Sequence, residues 1–241
     1  MTMDLLVTMA ALAVAGFAKG IVGLGLPPIA MGLLVLSMTP VEAAAIMVVP
    51  ALITNVLQAL GGRNLRALLR RFWPTLVLTA LATVAFAGAL SRHADAAITV
   101  LGVLLALYAL YSLKTPEFTL TSRQERWLGP LSGTVTGIVT AFTGVSSMPS
   151  VPFLQSVGLD RDAFVQAMGI SFSVSALALA LALGATGGLS AVPVIGIVAA
   201  TGSALAAMWG GLLLRKRLDQ ATFRRVFLIA LLALGIYLAL R

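Results

Sequence analysis

Eight apolar blocks divide the chain, at roughly 5–36, 41–60, 72–90, 96–113, 127–157, 163–184, 191–214 and 226–240, with short polar stretches between them. A membrane-spanning helix needs about 20 mostly apolar residues, because each adds about 1.5 Å against a hydrocarbon core of about 30 Å. Six of the blocks suit one crossing each. Charge content agrees with that reading. The 16 basic and 8 acidic residues make up 10% of the chain, where a soluble domain carries about 25%. So few charges cannot cover a water-facing exterior. A soluble enzyme, a disordered chain and a nucleic-acid binder are excluded, despite a net charge of +8. The sequence reads as an all-α, multi-pass integral membrane protein.

Blocks 5–36 and 127–157 are each about half as long again as one crossing needs. Both are interrupted by helix breakers: Gly20-Ile21-Val22-Gly23-Leu24-Gly25-Leu26-Pro27-Pro28 in the first, Thr143-Gly144-Val145-Ser146-Ser147-Met148-Pro149 in the second. Broken backbone at membrane depth is tolerated only where it is buried in protein or lines a water-filled cavity. Both blocks are therefore expected to contribute to a site, each as a re-entrant hairpin of two short helical arms.

The halves resemble each other. Gly16-Phe17-Ala18-Lys19-Gly20-Ile21-Val22 matches Gly133-Thr134-Val135-Thr136-Gly137-Ile138-Val139, and Thr39-Pro40-Val41-Glu42-Ala43 parallels Leu159-Asp160-Arg161-Asp162-Ala163. Thr39, Pro40 and Glu42 also read as N-cap, first helical residue and capping box of one helix. Lys and Arg concentrate on the cytoplasmic side of short loops. Arg63, Arg66, Arg70 and Arg71 mark one such stretch, and Arg215, Lys216, Arg217, Arg224 and Arg225 another. Segment 114–126, with Lys114, Arg123 and Arg126, joins them. The corresponding stretches 91–95 and 185–191 carry almost no net charge. Equivalent loops thus fall on opposite sides, as in inverted-topology repeats. The expected plan is two inverted repeats, 1–113 and 127–241, joined by a cytoplasmic linker, 114–126. Each repeat is a broken re-entrant hairpin followed by three transmembrane helices.

Lys19 alone among the basic residues lies inside an apolar block. Charge at membrane depth costs about 2.5–3.5 kcal/mol on insertion scales, so it marks a pathway or a ligand unless the side chain snorkels to the interface. No acidic residue occupies a comparable place, which favours an anion over a metal or organic cation. Helix arms beginning near Pro28 and Met148-Pro149 would turn positive dipole ends to the same cavity, with Thr143, Ser146 and Ser147 adding hydroxyls. The candidate substrate-binding residues are Lys19, Gly23, Gly25, Pro27, Asn55, Thr143, Gly144, Ser146, Ser147, Ser171 and Ser175. Thr54, Asn55 and Gln58 share one helix face, Ser171 and Ser175 stack on another, and Asn55 corresponds to Ser175 between the halves. Gly16xxxGly20 and Gly133xxxGly137 equally fit close helix packing. Trp73, Trp127 and Trp209 read as interfacial anchors or core. An intramembrane enzyme is disfavoured: there is no HExxH, no Gly-x-Ser-x-Gly, no cysteine, and one histidine, His93, in a polar loop. No metal and no cofactor is expected.

The glycine- and proline-rich first break and the stretch 136–180, TGIVTAFTGVSSMPSVPFLQSVGLDRDAFVQAMGISFSVSALALA, resemble the TauE/SafE family of sulfite and organosulfonate exporters. Members typically carry runs of three or more glycines at each break, whereas Leu26-Pro27 and Ser146-Ser147-Met148 stand here. The resemblance implies a multi-pass permease of the bacterial inner membrane that exports a small sulfur-containing anion such as sulfite, a sulfonate or thiosulfate. Alternating access about a midplane site is the leading mechanism. The alternative is an anion channel or facilitator for small carboxylates or other oxyanions. The partners are then a small anion and the bilayer, with no nucleic acid; a homodimer is compatible with such a plan. Substrate, direction, coupling ion and oligomeric state stay open at this point.

Overall fold

The computed structural model describes residues 2–23, 26–114, 119–215, 217 and 219–241. Among them there is helix and no strand. The helices are α1 (Thr2–Val22), α2 (Leu26–Leu34), α3 (Pro40–Leu60), α4 (Leu65–Ala85), the single-turn α5 (Ala89–Arg92), α6 (Ala94–Lys114), α7 (Ser122–Thr143), α8 (Ser147–Ser156), α9 (Arg161–Ala185), α10 (Val194–Leu214) and α11 (Gln220–Leu240), with a 3-10 turn at Gly188–Ala191. Seven of them, α1, α3, α4, α6, α9, α10 and α11, are long and apolar enough to cross a membrane. The chain is an all-α, multi-pass membrane protein.

Both broken blocks are broken where a glycine takes the left-handed conformation: Gly23 at φ 81° after α1 and Gly144 at φ 72° after α7. The expectation of two short arms is corrected. α1 has 21 residues and α7 has 22, against 9 in α2 and 10 in α8. Gly16, Gly20, Gly133 and Gly137 do not stop their helices, since an interior glycine costs only about 1 kcal/mol.

Those four glycines are needed for packing. A Cβ on Gly16 would stand 2.2 Å from the Ala204 carbonyl oxygen of α10, and one on Gly20 2.2 Å from that of Met208. Gly133 and Gly137 meet the Thr75 and Thr79 carbonyls of α4 at 2.3 and 2.4 Å in the same sense. Backbone thus touches backbone in both pairs, which is how membrane helices associate without a hydrophobic driving force. Thr79 and Thr83 donate to the Gly133 and Gly137 carbonyls at 3.0 and 3.2 Å. The pairing is reciprocal: α1 lies along α10, α7 along α4, α3 on α9 and α6 on α11.

The basic stretches expected as loops are partly helix. Arg66, Arg70 and Arg71 ride on α4, Arg123 and Arg126 on α7, and Arg224 and Arg225 on α11; Arg is a good helix former. The α7 start also carries a capping box, Thr121 with Gln124, and the expected box of Thr39 with Glu42 starts α3. Asp219 caps α11, and the Thr222 hydroxyl beside it holds its carboxyl below the usual range.

Hydrogen bonds fix which helix ends lie together. Arg71 grips Glu125 with two bonds of 2.7 Å and the Val157 carbonyl at 2.8 Å. The Leu120 amide donates to the Ser156 carbonyl at 2.7 Å. The chain therefore leaves for α7 and returns from α8 at one end of the bundle. Arg224 donates to the Ser112 carbonyl at 3.0 Å, bringing α11 and the C-terminal end of α6 to that same end. We refer to it as the basic end. Gln58 bonds the Val165 carbonyl at 2.8 Å, so α3 finishes where α9 begins. α3 therefore starts at the far end, where Val41 lies under Gly188.

Candidate functional site

Lys19 sits one turn before the end of α1, with 4% of its surface exposed. Its ammonium does not snorkel. Nζ donates to Thr54 Oγ1 at 3.1 Å and to Asn55 Oδ1, both on α3. Thr54 can accept because its own proton goes to the Pro50 carbonyl at 2.8 Å. Both partners are neutral, and no acidic residue among those described pairs with Lys19. No described carboxylate offsets the charge that this buried amine carries when protonated.

Asn55 is fully buried, and its Nδ2 has no hydrogen-bond partner. The amide orientation follows from its neighbour: an ammonium only donates, so it takes the carbonyl oxygen and leaves the NH2 group free. An unpartnered buried donor costs about 1–3 kcal/mol.

Asn55 lines a cavity of about 10 Å³, the size of one water. The polar part of its wall is Asn55, Thr140, Ser146 and Ser175, with Pro27 and Gly144 from the two breaks. Met47, Val48, Ala51, Phe172, Ala176 and Leu179 close the apolar side. The cavity lies about midway along α3 and α9. Ser175 and Thr140 donate to the i−4 carbonyls of Ser171 and Thr136 at 3.1 and 2.7 Å, so their protons are committed within their own helices. Ser146 stands at the N-cap position of α8 yet makes no capping bond, leaving its buried hydroxyl available.

The breaks supply fewer amide donors than ordinary helix starts. In α2 the second and third residues are Pro27 and Pro28, which have no N–H. In α8, Met148 departs from helical geometry (φ −111°, ψ 128°), and Pro149 follows it. Lys19 and the Asn55 amide are the donors that carry the site's positive character.

Access differs between the two ends. Towards the far end, a second cavity of about 200 Å³ is lined by Val41, Gly88, Ser91, Ala141, Leu179 and Thr186 among others, and shares Leu179 with the central one. Towards the basic end α3 and α9 are latched. Gln58 donates to the Val165 carbonyl, Gln166 donates to the Ala59 carbonyl at 2.7 Å, and the Asn64 amide donates to Gln166 Oε1 at 2.9 Å.

Of the residues singled out from the sequence, Pro27, Asn55, Gly144, Ser146 and Ser175 come together around the central cavity, with Lys19 bonded behind Asn55. Thr143 instead shapes the turn, donating to the Val139 carbonyl at 2.7 Å and accepting from the Val145 amide at 3.2 Å. Gly23 supplies the left-handed turn after α1. Ser147 lines a different small cavity beside Leu105 and Tyr108, and Ser171 another beside Phe72 and Phe153. Gly25 lies outside the described residues. The sequence reading missed Thr140, although Thr136, Thr140 and Thr143 share one helix face. It also missed Gln166, an amide inside an apolar helix.

The family described as sulfite exporter TauE/SafE matches residues 8–238. No curated protein and no solved structure matches the chain.

Proposed function

Because the chain belongs to the sulfite exporter TauE/SafE family, a family of membrane transporters rather than enzymes, we propose that it exports small sulfur oxyanions, sulfite or organosulfonates, through the cavity between α3 and α9. The observation that carries the anionic reading is Lys19: a buried amine whose partners are neutral, bonded behind an amide whose NH2 group is free. An oxyanion supplies the missing negative charge and the missing acceptors together.

Transport proceeds by alternating access. A cavity the size of one water is too small for sulfite, so the resting arrangement is a closed one. The basic end is cytoplasmic by the positive-inside rule, and the bacterial inner membrane is the compartment the family reading implies. The cavity lined by Ser91 and Thr186 is then an outer vestibule, and the Gln58–Gln166 latch an inner gate. A negative-inside potential drives anion efflux by about 2.3 kcal/mol per charge per 100 mV. Two inverted repeats, 1–113 and 127–241, are the framework. The reciprocal pairing of α1 with α10 and α7 with α4, through matched glycine pairs, supports that relation.

A thermal-shift screen of the detergent-purified protein over sulfite, sulfonates, sulfate and short carboxylates tests the assignment. A ligand at about 100 times its Kd stabilises by about 2.7 kcal/mol, which is a rise on the order of 5–10 °C for a chain of this length. Sulfite or a sulfonate is expected to give it. A shift confined to carboxylates would replace the substrate class.

A further inference from the structure

A groove of about 460 Å³ opens towards the basic end between the N-terminal halves of α4 and α7, away from the central cavity. Its wall includes Arg71, Trp73, Ser122, Glu125, Arg126 and Phe153. Arg71 is already neutralised there by Glu125. Arg126 is exposed and has no partner among the described residues, so the groove keeps one uncompensated guanidinium, with the Ser122 hydroxyl also in its wall. Trp73 on α4 is 60% exposed and Trp127, next to Arg126 on α7, is 75% exposed. Exposed tryptophans on membrane helices mark the headgroup level. Past Trp73, the exposed Val77 and Leu81 continue along α4 into the apolar zone.

We infer that this groove seats an anionic phospholipid from the leaflet at the basic end. The phosphodiester lies on Arg126 and Ser122, and an acyl chain follows Trp73, Val77 and Leu81. A planar guanidinium bonds two phosphate oxygens at once, and the cytoplasmic leaflet is the one rich in anionic lipid. The groove fits a lipid better than a soluble anion because one side of it is phosphate-binding and the adjoining side is apolar. This inference does not depend on what the central cavity carries.

The test is native mass spectrometry of the full chain released from vesicles of equal phosphatidylglycerol and phosphatidylcholine. Phosphatidylglycerol should be retained in clear excess, and Arg126→Gln should cut that excess about fivefold, the worth of one interfacial cation. Arg123→Gln removes an exposed charge on the same helix outside the groove wall and should leave the excess in place. Equal retention of the two lipids, or an equal loss from both variants, overturns the proposal. Millimolar inorganic phosphate should not displace the lipid; displacement would make the site one for free oxyanions and overturn the lipid assignment. Unchanged melting of both variants in phosphatidylcholine vesicles shows that neither result comes from misfolding.

Discussion

Lys19 of α1 and Asn55 of α3 are joined by a buried hydrogen bond that settles which way the amide faces. With Oδ1 held by the ammonium, Nδ2 is left without a partner at the wall of the central cavity. The relation joins a long hairpin arm to the helix that follows it. It also places two donors side by side, the protonated Lys19 amine and a free NH2 group, both of which an oxyanion would accept from.

Asn55→Asp tests that relation. A carboxylate against Lys19 forms a buried ion pair, cancels the charge and removes the free donor. The apo protein should melt no lower than wild type, while stabilisation by sulfite or sulfonate is lost. Retained stabilisation by the same ligands would show that this amide does not face the substrate.

The latch between α3 and α9 makes a separate prediction. Gln166 is 2% exposed and satisfies both the Ala59 carbonyl and the Asn64 amide. Gln166→Leu strands both groups, at about 1–3 kcal/mol for each one that water cannot reach. Because the chain has no cysteine, single replacements report access cleanly. Ser91→Cys should react with an impermeant thiol reagent from the far side. Ala59→Cys should react from the basic side only slowly in the wild-type background, and readily once Gln166→Leu is added. Equal labelling of Ala59→Cys in both backgrounds would remove the latch from the account.

Packing along α4 and α7 is tested at Gly133. Its Cβ position lies 2.3 Å from a backbone oxygen, that of Thr75, which cannot move aside as a flexible side chain would. Gly133→Ala should therefore lower the melting temperature sharply or abolish folded protein. Gly210→Ala is the control: nothing lies within 4 Å of that Cβ position. In a helix interior, Ala is favoured over Gly by up to about 1 kcal/mol, so the melting temperature should hold or rise. Fluorescence-detected size exclusion with heating measures both.

The parts legible in the sequence were those governed by length, breakers and charge. Apolar blocks gave the crossings, Gly23 and Gly144 the breaks, and the lone Lys19 the position of the buried cation. The sequence repeat pairs Asn55 with Ser175, and both line the central cavity. Ser147, a hydroxyl at the second break, and Ser171, one turn from Ser175, line other cavities, because sequence spacing places a residue on a helix without telling which neighbour covers that face. Arg66, Arg70 and Arg71 read as a loop in the sequence because charges punctuate the apolar blocks, although arginine is compatible with a helix that extends beyond the apolar zone. Gln166 stayed invisible for a different reason: its role depends on the carbonyl of Ala59, far away along the chain, and a carbonyl has no sequence signature.

The most direct measurement is counterflow of labelled sulfite and a labelled sulfonate in proteoliposomes, comparing wild type with Lys19→Gln. Glutamine, one bond shorter, keeps a polar donor on the side of Thr54 and Asn55 but removes the charge. Saturable counterflow by wild type and its loss in Lys19→Gln, with the variant still folded by size exclusion, is the predicted result. Undiminished counterflow in Lys19→Gln would contradict the account, because the anion would then be held by something other than this buried ammonium.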